Sequence, residues 1–146
     1  MKRRLTFESD AGQLAEVRRE ARAFLAQSGI EECEAEMLVL AIDEACTNII
    51  RYAYAHERKP IKLDMEQHKD RVRFVLRDYG QSCDPAKIRS RALEDVRPGG
   101  VGVHIIRHVF DLVEYQPCAR GTKLVLEKLF SSSSPTETPA RTNGKS

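Results

Sequence analysis

Glu44 and Asn48 stand four residues apart, so on a helix their side chains emerge one above the other on a single face. A carboxylate beside a carboxamide oxygen is a pair that can hold Mg²⁺, a hard cation that prefers oxygen ligands. The carboxylate could equally act as a general base. Arg51, one turn beyond Asn48, would set a permanent positive charge near the same face. An unremarkable solvated helix side carries such trios too, and spacing alone leaves both readings open.

Asp78 and Gly80 follow directly on the alternating segment Arg71–Arg77. A buried carboxylate there can accept a hydrogen bond from an exocyclic amine, while the glycine lets backbone approach a flat ring. Asp-x-Gly at a strand end also simply caps a turn. Gly99-Gly100-Val101-Gly102 opens the apolar stretch from Val103 to Phe110. Glycines ahead of a helix let backbone N–H groups converge on an anion, which the helix dipole favours; the alternative is a flexible hinge. Neither G-x-x-x-x-G-K-[ST] nor G-x-G-x-x-G occurs, which removes the P-loop and the usual dinucleotide fingerprint. Thr122, after Gly121, could join the Asp78 site through water or satisfy its own turn. His104 and His108 have a zinc-compatible spacing, but no H-E-x-x-H pattern or third ligand accompanies them, so no zinc site is expected.

Elements that could position these residues follow from periodicity. Leu5-Thr6-Phe7 reads as a short strand. Leu14, Val17, Ala21, Phe24 and Leu25 recur at helical spacing within Ala11–Ala26, and Ser28-Gly29 ends that helix. A second helix is expected from Glu31 to Ala55, burying Leu38, Ala41, Ile42, Ala45 and Ile49. Ile61, Leu63 and Met65, then Val72, Phe74 and Leu76, alternate with charged residues as two strands joined by a turn over Gln67–Asp70. An irregular stretch from Asp78 to Arg97 precedes the glycine-led helix, and Leu112–Tyr115 and Leu124–Leu129 read as strands around a turn at Gly121. The order β-α-α-β-β-loop-α-β-β predicts an α+β two-layer sandwich, a mostly antiparallel sheet covered on one face by helices. That domain occupies residues 1–130. The segment 131–146, SSSSPTETPARTNGKS, has no large apolar residue and is expected to be a disordered tail.

Composition sets the outer limits. A chain of 146 residues suits one domain, with 41% hydrophobic and 32% charged residues in the range of globular proteins. Lys and Arg number 24 against 22 Asp and Glu, a net charge of +2 that gives no whole-protein attraction to nucleic acid or to a membrane surface. Charge-free stretches such as Pro98–Ile106 fall far short of a membrane span. Met1-Lys2-Arg3-Arg4 resembles the start of a signal peptide, but Glu8 and Asp10 interrupt the place of an apolar core, so a cytoplasmic protein is expected. Cys33, Cys46, Cys83 and Cys118 contain no C-x-x-C and read as reduced thiols packed as small hydrophobes. The groups Arg18-Arg19, Arg22 and Arg71, Arg73, Arg77 read as solvated faces that at most dock an acidic protein partner.

Taken in order, Glu44-x-x-x-Asn48, Asp78-x-Gly80, Gly99-Gly100-x-Gly102 and Gly121-Thr122 resemble the GHKL nucleotide-binding superfamily, with its Bergerat ATP-binding fold. The resemblance covers residues 5–130. Within the superfamily the chain looks most like bacterial anti-sigma-factor serine/threonine kinases, through Glu44-Ala-Cys-Thr-Asn48-Ile-Ile-Arg-Tyr-Ala-Tyr54, Asp78-Tyr-Gly80-Gln-Ser-Cys-Asp84-Pro85 and Gly99-Gly100-Val-Gly102-Val-His-Ile-Ile.

The resemblance implies ATP and Mg²⁺ as cofactors. Asn48 would ligate Mg²⁺ and Arg51 would face the phosphates. Asp78 would bind the adenine amino group, with Gly80 against the ring and Thr122 assisting through water. Gly100, Val101, Gly102 and Val103 would offer backbone to the phosphates, and Glu44 would be the catalytic base that takes a proton from a partner's hydroxyl. It further implies partner switching between a sigma factor or analogous regulator and a STAS-type anti-anti-sigma antagonist, together with a homodimer. The alternative is a nucleotide-gated binding module without productive phosphotransfer. Three departures stand out: Tyr52 where this branch often has His, Cys83 where an aromatic frequently precedes Asp84-Pro85, and a short lid between Asp84 and Pro98.

Overall fold

The structure, a computed structural model, describes residues 1–55, 57–80 and 105–130. The expected Gly99–Val103 phosphate loop, His104, Cys83, the Asp84–Pro98 lid and the tail lie outside them. Five strands form one sheet: β1 (Lys2–Glu8), β2 (Pro60–Gln67), β3 (Arg71–Arg77), β4 (Leu112–Pro117) and β5 (Thr122–Leu129). Their spatial order is β1-β2-β3-β5-β4, and every neighbouring pair runs antiparallel. Two helices, α1 (Leu14–Gln27) and α2 (Glu32–Asn48), cover one face, and a helical stretch at 105–109 adds Ile106 and Val109 to the same core. The predicted α+β sandwich is therefore observed.

Strand alternation explains how that sheet buries one side. Ile61, Leu63 and Met65 of β2, Val72, Phe74 and Leu76 of β3, and Leu124 and Leu126 of β5 are all buried, while the residues between them point to the opposite face. α1 presents Leu14, Val17, Ala21, Phe24 and Leu25 to this layer, the stripe expected from its spacing. Phe24, Phe74 and Phe110 meet edge to face, with centroids 6.1 and 5.9 Å apart, and join helix layer to sheet.

Differences from expectation have local causes. β1 extends over seven residues rather than three because Lys2 to Glu8 all pair with β2, from Lys2 opposite Glu66 to Glu8 opposite Pro60. α1 starts three residues late because Asp10 accepts from the Gly12 amide (3.0 Å) and caps a 3₁₀ turn at Ala11–Gln13 instead. α2 does not continue regularly to Ala55. After Asn48 it widens into a π turn, Ile49–Ala53, closed by Tyr54 N–H donating to the Ile49 carbonyl at 2.9 Å. The Arg18 and Arg22 side chains are not merely solvated: they tie α1 to α2 through Asp43 (2.8 Å) and Glu36 (2.6 Å). Cys46 is a buried thiol whose ionisation burial suppresses, but Cys33 is exposed, contrary to the expected packing. Among the described residues no helix is long and apolar enough to cross a membrane.

Two glycines test this geometry, both with positive φ: Gly29 (+81°) after α1 and Gly121 (+82°) before β5. A methyl at Gly29 would meet nothing within 4 Å, whereas one at Gly121 would overlap the Asp78 carbonyl oxygen and sit 2.7 Å from Tyr79 Cα. Gly29→Ala should cost about 1 kcal/mol from backbone strain alone. Gly121→Ala should cost at least about 2 kcal/mol, since its Cβ also collides with backbone. Urea midpoints of the two variants check this, and equal losses would contradict the placement of Gly121 against Asp78.

Candidate functional site

The end of α2, its π turn and the exit of β3 enclose a cleft of about 450 Å³, its open mouth included. Ala45, Ile49, Ala53 and Leu124 supply apolar surface, Tyr52 and Tyr115 aromatic surface, and Asn48, Asp78 and Thr122 the polar groups. Three residues singled out in the sequence, from α2, from the residue after β3 and from the start of β5, therefore meet in one place.

Asp78 emerges from β3 on the buried face, because Phe74, Leu76 and Asp78 share one parity. Its amide donates to the Thr122 carbonyl at 3.0 Å, which extends the β3–β5 ladder by one rung. One carboxylate oxygen accepts from the Gly80 amide at 3.1 Å. Burial raises the carboxyl pKa above its ordinary value, against hydrogen bonds from the Gly80 and Thr122 backbone and the charge of Arg77, which favour the ionised form.

Gly80 is required on other grounds than those expected. A side chain there would run into the Ala53 carbonyl oxygen and come within 2.9 Å of the Tyr54 ring, so the glycine lets the π turn close against the β3 exit. Tyr54 fixes the same junction. Its buried hydroxyl donates to the Pro60 carbonyl (2.5 Å) and accepts from the Tyr79 amide (2.7 Å). Sequence reasoning assigned Tyr54 no role; aromatic character at the end of a helical stretch was the available signal, and it does not specify hydroxyl partners.

Thr122 is buried and its hydroxyl has no hydrogen-bond partner among the described residues; the carboxamide oxygen and nitrogen of Asn48 are likewise buried and unpartnered. Buried polar atoms of this kind are rare, because an unmade hydrogen bond costs about 1–3 kcal/mol. Three of them around one cleft fit a polar ligand that completes them. An amine-bearing ring suits the Asp78 carboxylate, and a Mg²⁺–phosphate group suits Asn48, which is a single protein oxygen ligand of the sort Mg²⁺ accepts alongside phosphates and water.

Glu44 and Arg51 do not line this cleft. Glu44 lies one α-helical turn before Asn48, half-buried, with its pKa raised first by burial and then by Asp43, and lowered by Arg51. Widening at the π turn alters the rotation per residue after Asn48, and Arg51 lies over the Tyr52 ring, 5.9 Å from its centroid. The described residues thus separate an apolar end, at Asp78, from a charged end, at Glu44 and Arg51, with Asn48 between. No group of three His, Cys, Asp or Glu side chains among them could hold a metal by itself.

The Asp78 carboxylate should cost stability when charged. Its folded-state pKa exceeds the unfolded value, so the folded state binds the proton more readily and this cost disappears as pH falls through the raised pKa. Asp78→Asn, whose amide oxygen can keep the Gly80 hydrogen bond, should melt about 3 °C above the native protein at neutral pH. The difference should shrink as pH falls from neutral through the raised pKa and be gone at an acid pH below the ordinary carboxylate range. Paired thermal melts at both pH values check this; a variant that melts lower at neutral pH would show that the charge holds the site together.

The chain has relatives among known proteins. Over 87 residues the chain is 32% identical to the serine-protein kinase RsbW of Halalkalibacterium halodurans, covering 54% of this chain and 53% of that protein. Over 84 residues it is 33% identical to the serine/threonine-protein kinase BtrW of Bordetella bronchiseptica, covering 54% and 59%. The chain thus spans little more than half the length of these curated relatives. Its fold is similar to the histidine kinase domain of the Erythrobacter litoralis EL346 blue-light activated histidine kinase (TM-score 0.53, 13% identity, 81% of this chain and 59% of that one). It is also similar to a chain in the SiaB-SiaC complex from Pseudomonas aeruginosa (TM-score 0.56, 12% identity, 86% and 88%). The histidine kinase-like ATPase domain family matches residues 7–128, from the end of β1 through almost all of β5, and the chain belongs to that family.

Proposed function

We infer that this protein is an anti-sigma-factor-type serine/threonine protein kinase whose cleft takes Mg-ATP. The observation that carries the reading is the convergence of Asp78, Thr122 and Asn48 on one cleft with buried polar atoms left for a ligand. The serine kinases RsbW and BtrW, similar over about half their lengths, support the choice of acceptor chemistry. Adenine would sit at the Asp78 end, its exocyclic amine donating to the carboxylate, with Thr122 completing the polar rim. A guanine carbonyl in that position would face an acceptor with an acceptor, so the site selects against GTP. Asn48 would hold a Mg²⁺, and the ion would supply charge neutralisation for phosphoryl transfer. The phosphates would run toward Arg51 and the loop Gly100, Val101, Gly102 and Val103.

Glu44 would take the proton from the acceptor hydroxyl. Partial burial raises its pKa above the ordinary value, which makes its carboxylate a better base. The partners would be a sigma factor or analogous regulator in one state and a STAS-type antagonist, phosphorylated on serine or threonine, in the other. Nucleotide state would supply the differential affinity that partner switching needs. The setting would be the cytoplasm, with the domain in residues 1–130 and residues 131–146 as its tail.

A transfer assay tests this reading. With [γ-³²P]ATP, Mg²⁺ and a purified STAS-domain antagonist from the same cell, the native protein should place acid-stable phosphate on a serine or threonine. Glu44→Gln should lower transfer about 100-fold or more while leaving ATP affinity within about twofold. Transfer by the native protein should fall as pH drops through the raised Glu44 pKa, at a higher pH than an ordinary glutamate would give. ATP-dependent capture of the antagonist without transfer would instead favour the gated binding module, and acid-labile phosphate would indicate histidine as acceptor.

A further inference from the structure

The sheet face opposite α1 and α2 carries a row of like charges. Lys62 of β2 lies opposite Arg77 of β3, and Arg77 lies opposite Lys123 of β5. Each sits between buried neighbours, Ile61 and Leu63, Leu76 and Asp78, Thr122 and Leu124, so all three point to this outer face. The row ends on neutral residues, Thr6 of β1 on one side and Gln116 of β4 on the other. Like charges directly opposite on neighbouring strands destabilise a sheet, and here two such pairs stand side by side.

Elsewhere on this face Arg4, Arg71 and Arg73 meet carboxylates. Arg4 is bidentate to Asp64 at 2.6 and 3.0 Å, and Glu127 holds Arg71 at 2.6 Å and reaches Arg73 at 3.6 Å. Among the described residues no carboxylate pairs with Lys62, Arg77 or Lys123. Tyr79 leans over the row, its ring centroid 4.4 Å from the Arg77 guanidinium carbon and 5.8 Å from the Lys62 ammonium. Arg77 itself donates to the Asp78 carbonyl, so the row abuts the backbone that carries Asp78.

We propose that Lys62, Arg77 and Lys123, with Tyr79 beside them, form a docking site for a short acidic segment of a protein partner. Three adjacent strands spread the cations over about 10 Å, the span of three or four residues of an extended peptide. Carboxylates on the same face, Glu8, Asp64, Glu66, Glu114 and Glu127, bound the row. A nucleic-acid backbone, which needs a basic track over many phosphates, would run across them. A second copy of the chain facing this row squarely would set cation against cation. The site lies on the opposite side of the sheet from the nucleotide cleft and stands or falls independently of the kinase reading.

The test uses the full chain and two fluorescein-labelled probes, a ten-residue polyglutamate peptide and the oligonucleotide dT10, in anisotropy titrations at about 50 mM salt. Lys62→Ser with Lys123→Ser should weaken peptide binding fivefold or more, two charges, one half-buried and one exposed, at about 0.5 kcal/mol each. Arg19→Ser with Lys69→Ser removes the same charge from α1 and the β2–β3 turn and should change binding less than twofold. The row variant should also melt no lower than the native protein, since repulsion is removed. Absence of peptide binding, equal losses in both variants, tighter binding of dT10 than of the peptide, or a lower melting point of the row variant would each overturn the proposal.

Discussion

The site rests on the junction where the end of α2 meets the exit of β3. There the Tyr54 hydroxyl spans two backbone groups, the Pro60 carbonyl at the start of β2 and the Tyr79 amide just after β3, while Gly80 lies against the Ala53 carbonyl. The Tyr54 side chain and Gly80 are both buried, so losing either contact would carry the cost of an unmade hydrogen bond or a steric overlap. The junction fixes how far Asn48 stands from Asp78, because Asn48 ends the helix and Asp78 begins the exit. The π turn belongs to the same constraint: it brings Ala53 and Tyr54 to the sheet within six residues of Asn48, and such turns recur at functional sites.

From that junction the cleft inherits its character. Apolar side chains from α2 and β5 desolvate Asp78, so its carboxylate is costly when charged and correspondingly receptive to a donor. Asn48 and Thr122 contribute polar atoms that have no partner among the described residues. Stability is thereby traded for a binding site, the usual balance where function is built into a core. Across the sheet the same logic applies at the surface, where no carboxylate among the described residues pairs with Lys62, Arg77 or Lys123 although Arg4 and Arg71 nearby are paired.

Much of this was legible in the sequence, for physical reasons that differ by element. Period-two alternation in Ile61–Glu66 and Arg71–Arg77 is dictated by a sheet with one buried face, and it placed β2 and β3 within a residue or two. Helical spacing from Leu14 to Leu25 specified the buried stripe of α1 correctly, but not the 3₁₀ turn, which depends on the Asp10 cap. Asn48, Asp78 and Thr122 were identified by order along the chain, and the structure brings them to one cleft. Glu44 keeps its expected place one α-helical turn before Asn48; Arg51 lies beyond it in the π turn, and periodicity carries no signal for one extra residue in a turn. Tyr54 and the second reason for Gly80 were invisible because both depend on contacts between segments distant in sequence. The Arg groups illustrate the same limit, since only strand register separates Arg71 and Arg73, which meet Glu127, from Arg77, which meets no carboxylate among the described residues.

Calorimetric titration with Mg-ATP and Mg-GTP, of the native protein and of Asp78→Asn, tests the central claim most directly. The account predicts saturable one-to-one binding of Mg-ATP to the native protein, no detectable heat from Mg-GTP, and loss of ATP binding in a variant that remains folded. Absence of ATP binding by the native protein, or equal binding of ATP by Asp78→Asn, would contradict it and leave this member of the ATPase domain family without an adenine site at Asp78.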